Sequence, residues 1–192
     1  LYAAIKNNEK FVIIGDYDVD GVTATALITN YLHDIGIDNF DTYIPHRVHD
    51  GYGINKNIID KFDAKLIITA DNGSSAYEAI EYAKDRDIII IDHHTMPYVA
   101  DVCAVINPHR PDENNDNLKV LCAAGVMFLF LIALNRYLRL KKFFTRCQEP
   151  DLRRYLDIVA LGTVCDAMPM LGINRALVSS GLKVIQNTIN PG

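Results

Sequence analysis

FVIIGDYDVDG, residues 11–21, is the stretch from which the fold is read. Phe11 to Gly15 are apolar or glycine and β-prone, and they read as a strand buried on both faces. Asp16, Asp18 and Asp20 follow at alternate positions. Gly21 closes the turn, and Val22 to Ile35 continues with apolar residues at helical spacing, stopped by Gly36. Three carboxylates this close repel one another, and a fold that keeps them needs something to neutralise them. One or two divalent cations are the simplest answer. Left without metal, such a site is expected to be disordered or proton-loaded. An EF-hand calcium loop is excluded, because its twelfth position requires Glu and holds Leu27.

Outward from that strand the pattern repeats. Phe40–Ile44, Lys65–Thr69, Asp87–Ile91 and Val102–Ile106 read as four more strands. Helical segments are expected at Leu1–Asn7, Ile54–Phe62 and from Ser74 or Ser75, as the cap, to about Lys84. Alternation of this kind predicts an α/β fold: a doubly wound, mostly parallel five-stranded sheet with flanking helices. Beyond a polar loop from Arg110 to Asn117, helices are expected at Val120–Arg139, Asp151–Leu161 and Leu171–Gln186. The expectation is therefore one domain over 1–192, with a sheet portion at 1–110 and a helical portion at 111–192.

Length and composition bound the function. The 192 residues are 49% hydrophobic, enough for a real core, and the net charge of −5 gives the surface no general affinity for nucleic acid. Metal bound in the acidic cluster would change that sign locally. Cys103, Cys122, Cys147 and Cys165 lack C-x-x-C spacing, which suggests reduced thiols in a cytoplasmic protein. Cys165 reads as buried filler. No signal peptide is visible, and the uncharged apolar run Val120–Leu134 is 15 residues, against the roughly 20 that span a membrane. The opening at Leu1 without Met and the close at Pro191-Gly192 suggest a piece of a longer chain.

Ligands of open α/β sheets lie at the carboxyl ends of the strands. Strand one is followed there by Asp16, Asp18 and Asp20, strand three by Asp71-Asn72-Gly73, and strand four by Asp92-His93-His94. Singly, each has an ordinary reading: a turn, a histidine satisfying a carbonyl, or, for Asp166, a solvated loop residue. Together they place acid and imidazole groups from separate segments on one edge, a donor set that suits Mn²⁺. Arg47, in a glycine-rich loop, reads equally as an ion-pair partner or a phosphate contact. The basic run Arg136–Arg146 reads as a solvated helix end.

GDYDVDG, ADNG, DHH and LGTVCDAMP resemble, in order and spacing, the four motifs of the DHH phosphoesterase superfamily. IPHRVHDGYGIN, VINPHRPDE and LCAAGVMF are similar to connecting segments of its bacterial single-strand-specific 5′→3′ DNA exonucleases. The likeness runs from about Phe11 to Gly192. It implies a two-metal centre, usually of Mn²⁺ with Mg²⁺ possible. Asp18, Asp20, Asp71, His93 and Asp166 match the metal ligands, Asp71 between the ions, and Asp16 matches a first-motif acid. His94 matches the residue that faces substrate phosphate. Asp92 and Asn72 would support the ligands from behind, and Arg47, His109 and Arg110 are phosphate-contact candidates. Catalysis would rest on Asp71, His93, His94 and Asp166.

The likeness further implies release of 5′ mononucleotides from single-stranded DNA in repair and recombination. Helicase and single-strand-binding partners are implied for the full-length protein, and no membrane. The DHH-associated and OB domains of such exonucleases are not in this sequence, so weak DNA binding is expected. The alternatives are relatives acting on short RNA, cyclic dinucleotides or pyrophosphate, and non-catalytic replication scaffolds.

Overall fold

The computed structural model describes residues 1–145, 147–188 and 190. Five strands form one sheet: β1 (Phe11–Ile14), β2 (Phe40–Tyr43), β3 (Leu66–Ala70), β4 (Asp87–Ile91) and β5 (Ala104–Ile106). Their order is β2-β1-β3-β4-β5 and every pairing is parallel, not merely most. The helices are α1 (Tyr2–Asn7), α2 (Val19–Asp34), α3 (Lys56–Ile59), α4 (Tyr77–Tyr82), α5 (Ala123–Leu140), α6 (Leu156–Cys165) and α7 (Gly172–Ile185).

The apolar runs have a two-residue period, so each strand feeds two cores. Phe11, Ile13, Ile68, Ala70, Ile89 and Ile91 face a core shared with α2, α5 and α6. Val12, Ile14, Ile67, Ile88 and Ile90 face the other, under α3 and α4. Register aligns Ile14 with Thr69, and Ala70 with Ile91, so the carboxyl ends of β1, β3 and β4 finish level. Consecutive strands run to opposite sides of β1, which opens a crevice between β1 and β3 where a ligand site is expected.

Several boundaries differ from the sequence expectation. Helix α2 begins at Val19, not Val22, because Asp18 is its N-cap and its side chain accepts the Gly21 amide at 2.9 Å. Asp20 therefore sits inside the helix, in its first turn. Gly21 is helical too, and a Cβ there would lie 2.6–2.7 Å from the Cβ, Cα and N of Asp16. Gly→Ala inside a helix ordinarily gains about 1 kcal/mol. Gly21→Ala should instead lower the melting temperature, because the backbone carrying Asp16 must move; an unchanged or raised melting temperature would contradict this packing.

The expected Ile54–Phe62 helix shrinks to α3, capped by Asn55, whose side chain accepts the Ile58 amide. Ser74 and Ser75 do not cap α4. The Ser74 amide donates to Asp92 and its hydroxyl accepts from Asn107, so the chain is held at the sheet edge until Tyr77. The Asp151–Leu161 helix is a 3₁₀ turn, Leu152–Tyr155, followed by α6.

Helix α5 is long and apolar enough to cross a membrane by length and composition. It is instead a core helix: Met127, Leu131 and Leu138 are fully buried in the core it shares with α2 and β4. At its basic end Arg139 pairs with Glu149, while Arg146 lies outside the described residues. Cys165 is exposed, not buried filler, because the end of α6 faces outward.

Candidate metal centre

Four loops at the carboxyl edge converge. The β1–α2 turn brings Asp16 and Asp18, and the first turn of α2 brings Asp20. Asp71 follows β3 and His93-His94 follow β4, while Asp166 comes from the end of α6. His93 Nε2 lies 3.4 Å from Asp71 Oδ1, 3.6 Å from Asp20 Oδ2 and 3.8 Å from Asp166 Oδ2. These are too long for good hydrogen bonds. They approximate the ~3–3.5 Å between neighbouring donors that bind one ion at about 2.1 Å.

Among the described residues, three sets bring their donor atoms within 4.8 Å of one another: Asp16/Asp18/Asp71, Asp20/His93/Asp166 and Asp71/His93/His94. Asp71 and His93 are each shared between sets. The donor chemistry suits hard or borderline divalent cations, carboxylates with one or two imidazoles.

The same side chains carry polar atoms that nothing satisfies. Both oxygens of Asp71, Asp16 Oδ1 and Asp166 Oδ2 are buried without a hydrogen-bond partner. Native folds rarely leave such atoms unpaired unless an ion or water serves them. Asp71 also holds φ at 65°, the left-handed region that non-glycine residues avoid. Burial pushes the Asp71 carboxyl up to about 10, with Asp20 and Asp18 adding to the rise. Burial likewise raises Asp16, and raises Asp166 with Asp20 contributing. These shifts all favour the protonated acids when no cation is bound.

The supporting residues are equally specific. Burial pushes Asp92 up, but hydrogen bonds from His94 and Ser74 outweigh it and hold the carboxyl at about 2. In return that hydrogen bond, His94 Nδ1 to Asp92 Oδ1 at 2.8 Å, raises the His94 imidazole. Asn72, 1% exposed, donates to the carbonyls of Ile14 and Ala70 and accepts the Ile54 amide at 3.2 Å, so it ties three loops together.

Beside His94 lies a pocket of about 430 Å³, lined by Tyr52, Gly73, Ser75 and Thr95 among others. The Tyr52 ring meets His94 and Tyr17 edge-on, and the Arg47 guanidinium sits 5.5 Å over the Tyr17 ring.

His109 and Arg110 do not join this cluster. Arg110 is engaged by Asp112 and the Val105 carbonyl at the free edge of β5, and His109 Nε2 meets the Lys119 carbonyl at 3.1 Å. These contacts tie both side chains to their own loop, apart from the acidic cluster.

The sequence reading missed five contributors. Asn107 donates to Ser74 and to the His94 carbonyl, pinning the histidine loop. Tyr17 and Tyr52 shape the mouth; their place beside the acidic and glycine-rich motifs was the available signal. Ala123 and Ala124 donate backbone amides to Asp20, at 2.5 and 2.9 Å. Alanine side chains carry no sign of that.

A family model described as the DHH family, N-terminal domain, matches residues 10–163. The chain belongs to the DHH family. The match takes in Asp16 through His94, and Asp166 lies just beyond it. The chain is similar to the single-stranded-DNA-specific exonuclease RecJ of Escherichia coli (strain K12): 36% identical over 197 residues, covering 97% of this chain and 33% of that protein. The chain thus spans about a third of the length of the curated relatives it matches. A crystal structure of exonuclease RecJ bound to manganese is 31% identical, with a TM-score of 0.80 over 95% of this chain and 45% of that one. RecJ from Thermus thermophilus in complex with Mn²⁺ is 29% identical, with a TM-score of 0.75 over 98% of this DHH-family chain and 26% of that one. Both neighbours hold a divalent cation.

Proposed function

We propose that this chain is the catalytic part of a RecJ-like, metal-dependent phosphodiesterase that cuts single-stranded DNA from the 5′ end to 5′ mononucleotides. The observation that carries the reading is the set of partnerless buried carboxylate oxygens around the shared residues Asp71 and His93. Residues 1–110 and 111–192 would act as one unit, because Asp166 comes from the helical portion and the other donors from the sheet.

Two ions, Mn²⁺ by the donor set and the likeness, fit these residues. Asp16, Asp18 and Asp71 would hold one, and Asp20, His93 and Asp166 the other, with Asp71 between them. When bound, such a pair supplies Lewis-acid stabilisation of phosphoryl oxygens and activates water for in-line attack at phosphorus. Asp92 fixes the His94 ring by its Nδ1 and favours the imidazolium, whose Nε2, 3.5 Å from the Tyr52 hydroxyl, would donate to a phosphate oxygen. Arg47 would contact a neighbouring phosphate, and Tyr17 and Tyr52 offer faces on which bases stack without sequence preference. A cytoplasmic location, and helicase and single-strand-binding partners for longer relatives, belong to the same reading.

The test is a competition assay. With Mn²⁺, 5′-phosphorylated single-stranded DNA should yield mononucleotides in preference to duplex DNA and short RNA, and EDTA should stop the reaction. Preferential trimming of the RNA would move the chain to the small-substrate branch of the family. Tight Mn²⁺ binding without cleavage of any of the three would leave a binding module.

A further inference from the structure

The Asp20 carboxylate is 2% exposed and both its oxygens are bonded to backbone: Oδ2 accepts the amide of Ala123 and Oδ1 that of Ala124. Those amides are the first two of α5, an 18-residue helix whose N-cap, Cys122, provides no side-chain cap. First-turn amides have no partner within their own helix. Here the partner is a carboxylate from a helix 103 and 104 residues earlier in the chain. Each oxygen keeps a lone pair, and Oδ2 faces His93 Nε2 at 3.6 Å.

Close approach of α6 completes the arrangement. A Cβ on Gly162 would stand 2.5 Å from Thr23 Oγ1, 2.7 Å from Ala124 Cβ and 3.2 Å from Asp20 Oδ1. Only glycine lets α6 lie against both α2 and the start of α5. The same helix ends at Asp166, the third member of the Asp20/His93/Asp166 set. The set Asp16/Asp18/Asp71 uses no residue of α5 or α6.

We propose that the Ala123 and Ala124 amides, with Gly162 as spacer, are positioning groups that aim Asp20 at His93 and Asp166. One cation position then depends on the helical half of the chain and the other on the sheet loops alone. This rests on the two-cation reading above. The two positions are consequently unequal: loosening α5 or α6 empties the Asp20 position and leaves the Asp16 position filled.

Ala123→Pro is the direct test. It removes one amide proton at the first helical position, where proline is tolerated. The preceding residue, Cys122, is already extended, as a residue before proline should be. Mn²⁺ titrations followed by calorimetry and by electron paramagnetic resonance should show two classes of site in the unsubstituted chain. In Ala123→Pro one class should weaken by about 10–100-fold, the range for losing a group that orients a ligand, and the other should stay unchanged. Gly162→Ala should weaken the same class.

Identical titrations for variant and unsubstituted chain, or equal weakening of both classes in a folded variant, would overturn the proposal. An unsubstituted chain that binds no Mn²⁺ would overturn the metal-centre reading itself. Hydrogen exchange on the unsubstituted chain covers the case of a variant that fails to fold. The Ala123 and Ala124 amides should exchange slowly in EDTA and more slowly with Mg²⁺, and fast exchange, or exchange indifferent to the cation, would defeat the proposal.

Discussion

Asp71→Asn should abolish Mn²⁺-dependent cleavage while leaving the fold intact. Asp71 is shared by two of the three donor sets, and neither of its oxygens is satisfied by protein. Asparagine keeps the shape and tolerates the left-handed backbone at φ 65°. It loses the negative charge on which cation binding depends. Metal stabilisation of a phosphoryl transfer is worth several kcal/mol, so the loss of kcat should be on the order of a thousandfold. The control is melting in EDTA. Burial pushes the Asp71 carboxyl up to about 10, which favours a protonated acid there without metal, so the amide should melt at the same temperature or higher at neutral pH. Cleavage near the wild-type rate would remove Asp71 from the mechanism. A collapse of melting temperature in EDTA would make its role structural.

Metal-free stability should fall as pH rises, and Mn²⁺ affinity should rise. Asp71 titrates near 3.8 when unfolded and at about 10 in the metal-free fold. Between those values the native state holds a proton that the unfolded chain has released. Its contribution is complete below 3.8, declines through neutral pH, and is lost above the folded value. The raised Asp16 and Asp166, and His94 raised above 6.5, act in the same direction. Asp92 acts oppositely, but only as the pH falls from 3.8 towards about 2. Cation binding must displace the Asp71 proton, so apparent Mn²⁺ affinity should climb about tenfold per pH unit for each proton released. Calorimetry in buffers of different ionisation enthalpy reads that proton directly. Affinity independent of pH would mean that the cluster is already ionised without metal, and that burial has been overrated.

Where the sequence reading succeeded, side-chain chemistry and periodicity carried the information. The four isoleucines of β4 could only be a buried strand, and its bounds Asp87–Ile91 match the structure. Acids after β1 and β3, and imidazoles after β4, had to meet once the strands were parallel and level. Where it failed, the backbone carried the information. Asp20 looked like a loop acid because nothing in DYDVDG shows that the helix starts at Val19, with Asp18 as cap. The Val105 and Lys119 carbonyls that Arg110 and His109 meet are likewise invisible in the sequence.

The amino-acid sequence by itself determined the parallel α/β architecture, the sheet edge on which the chemistry lies and the identity of the acids and histidines there. Those follow from local rules: alternation of apolar residues, turn residues, and charge that needs neutralising. Only the tertiary structure decided which donors share a position, that Asp71 and His93 stand at the overlap, and that α5 and α6 hold Asp20 and Asp166. Those facts depend on contacts between residues more than a hundred positions apart, made through amides and through the missing side chain of a glycine, which local pattern does not encode.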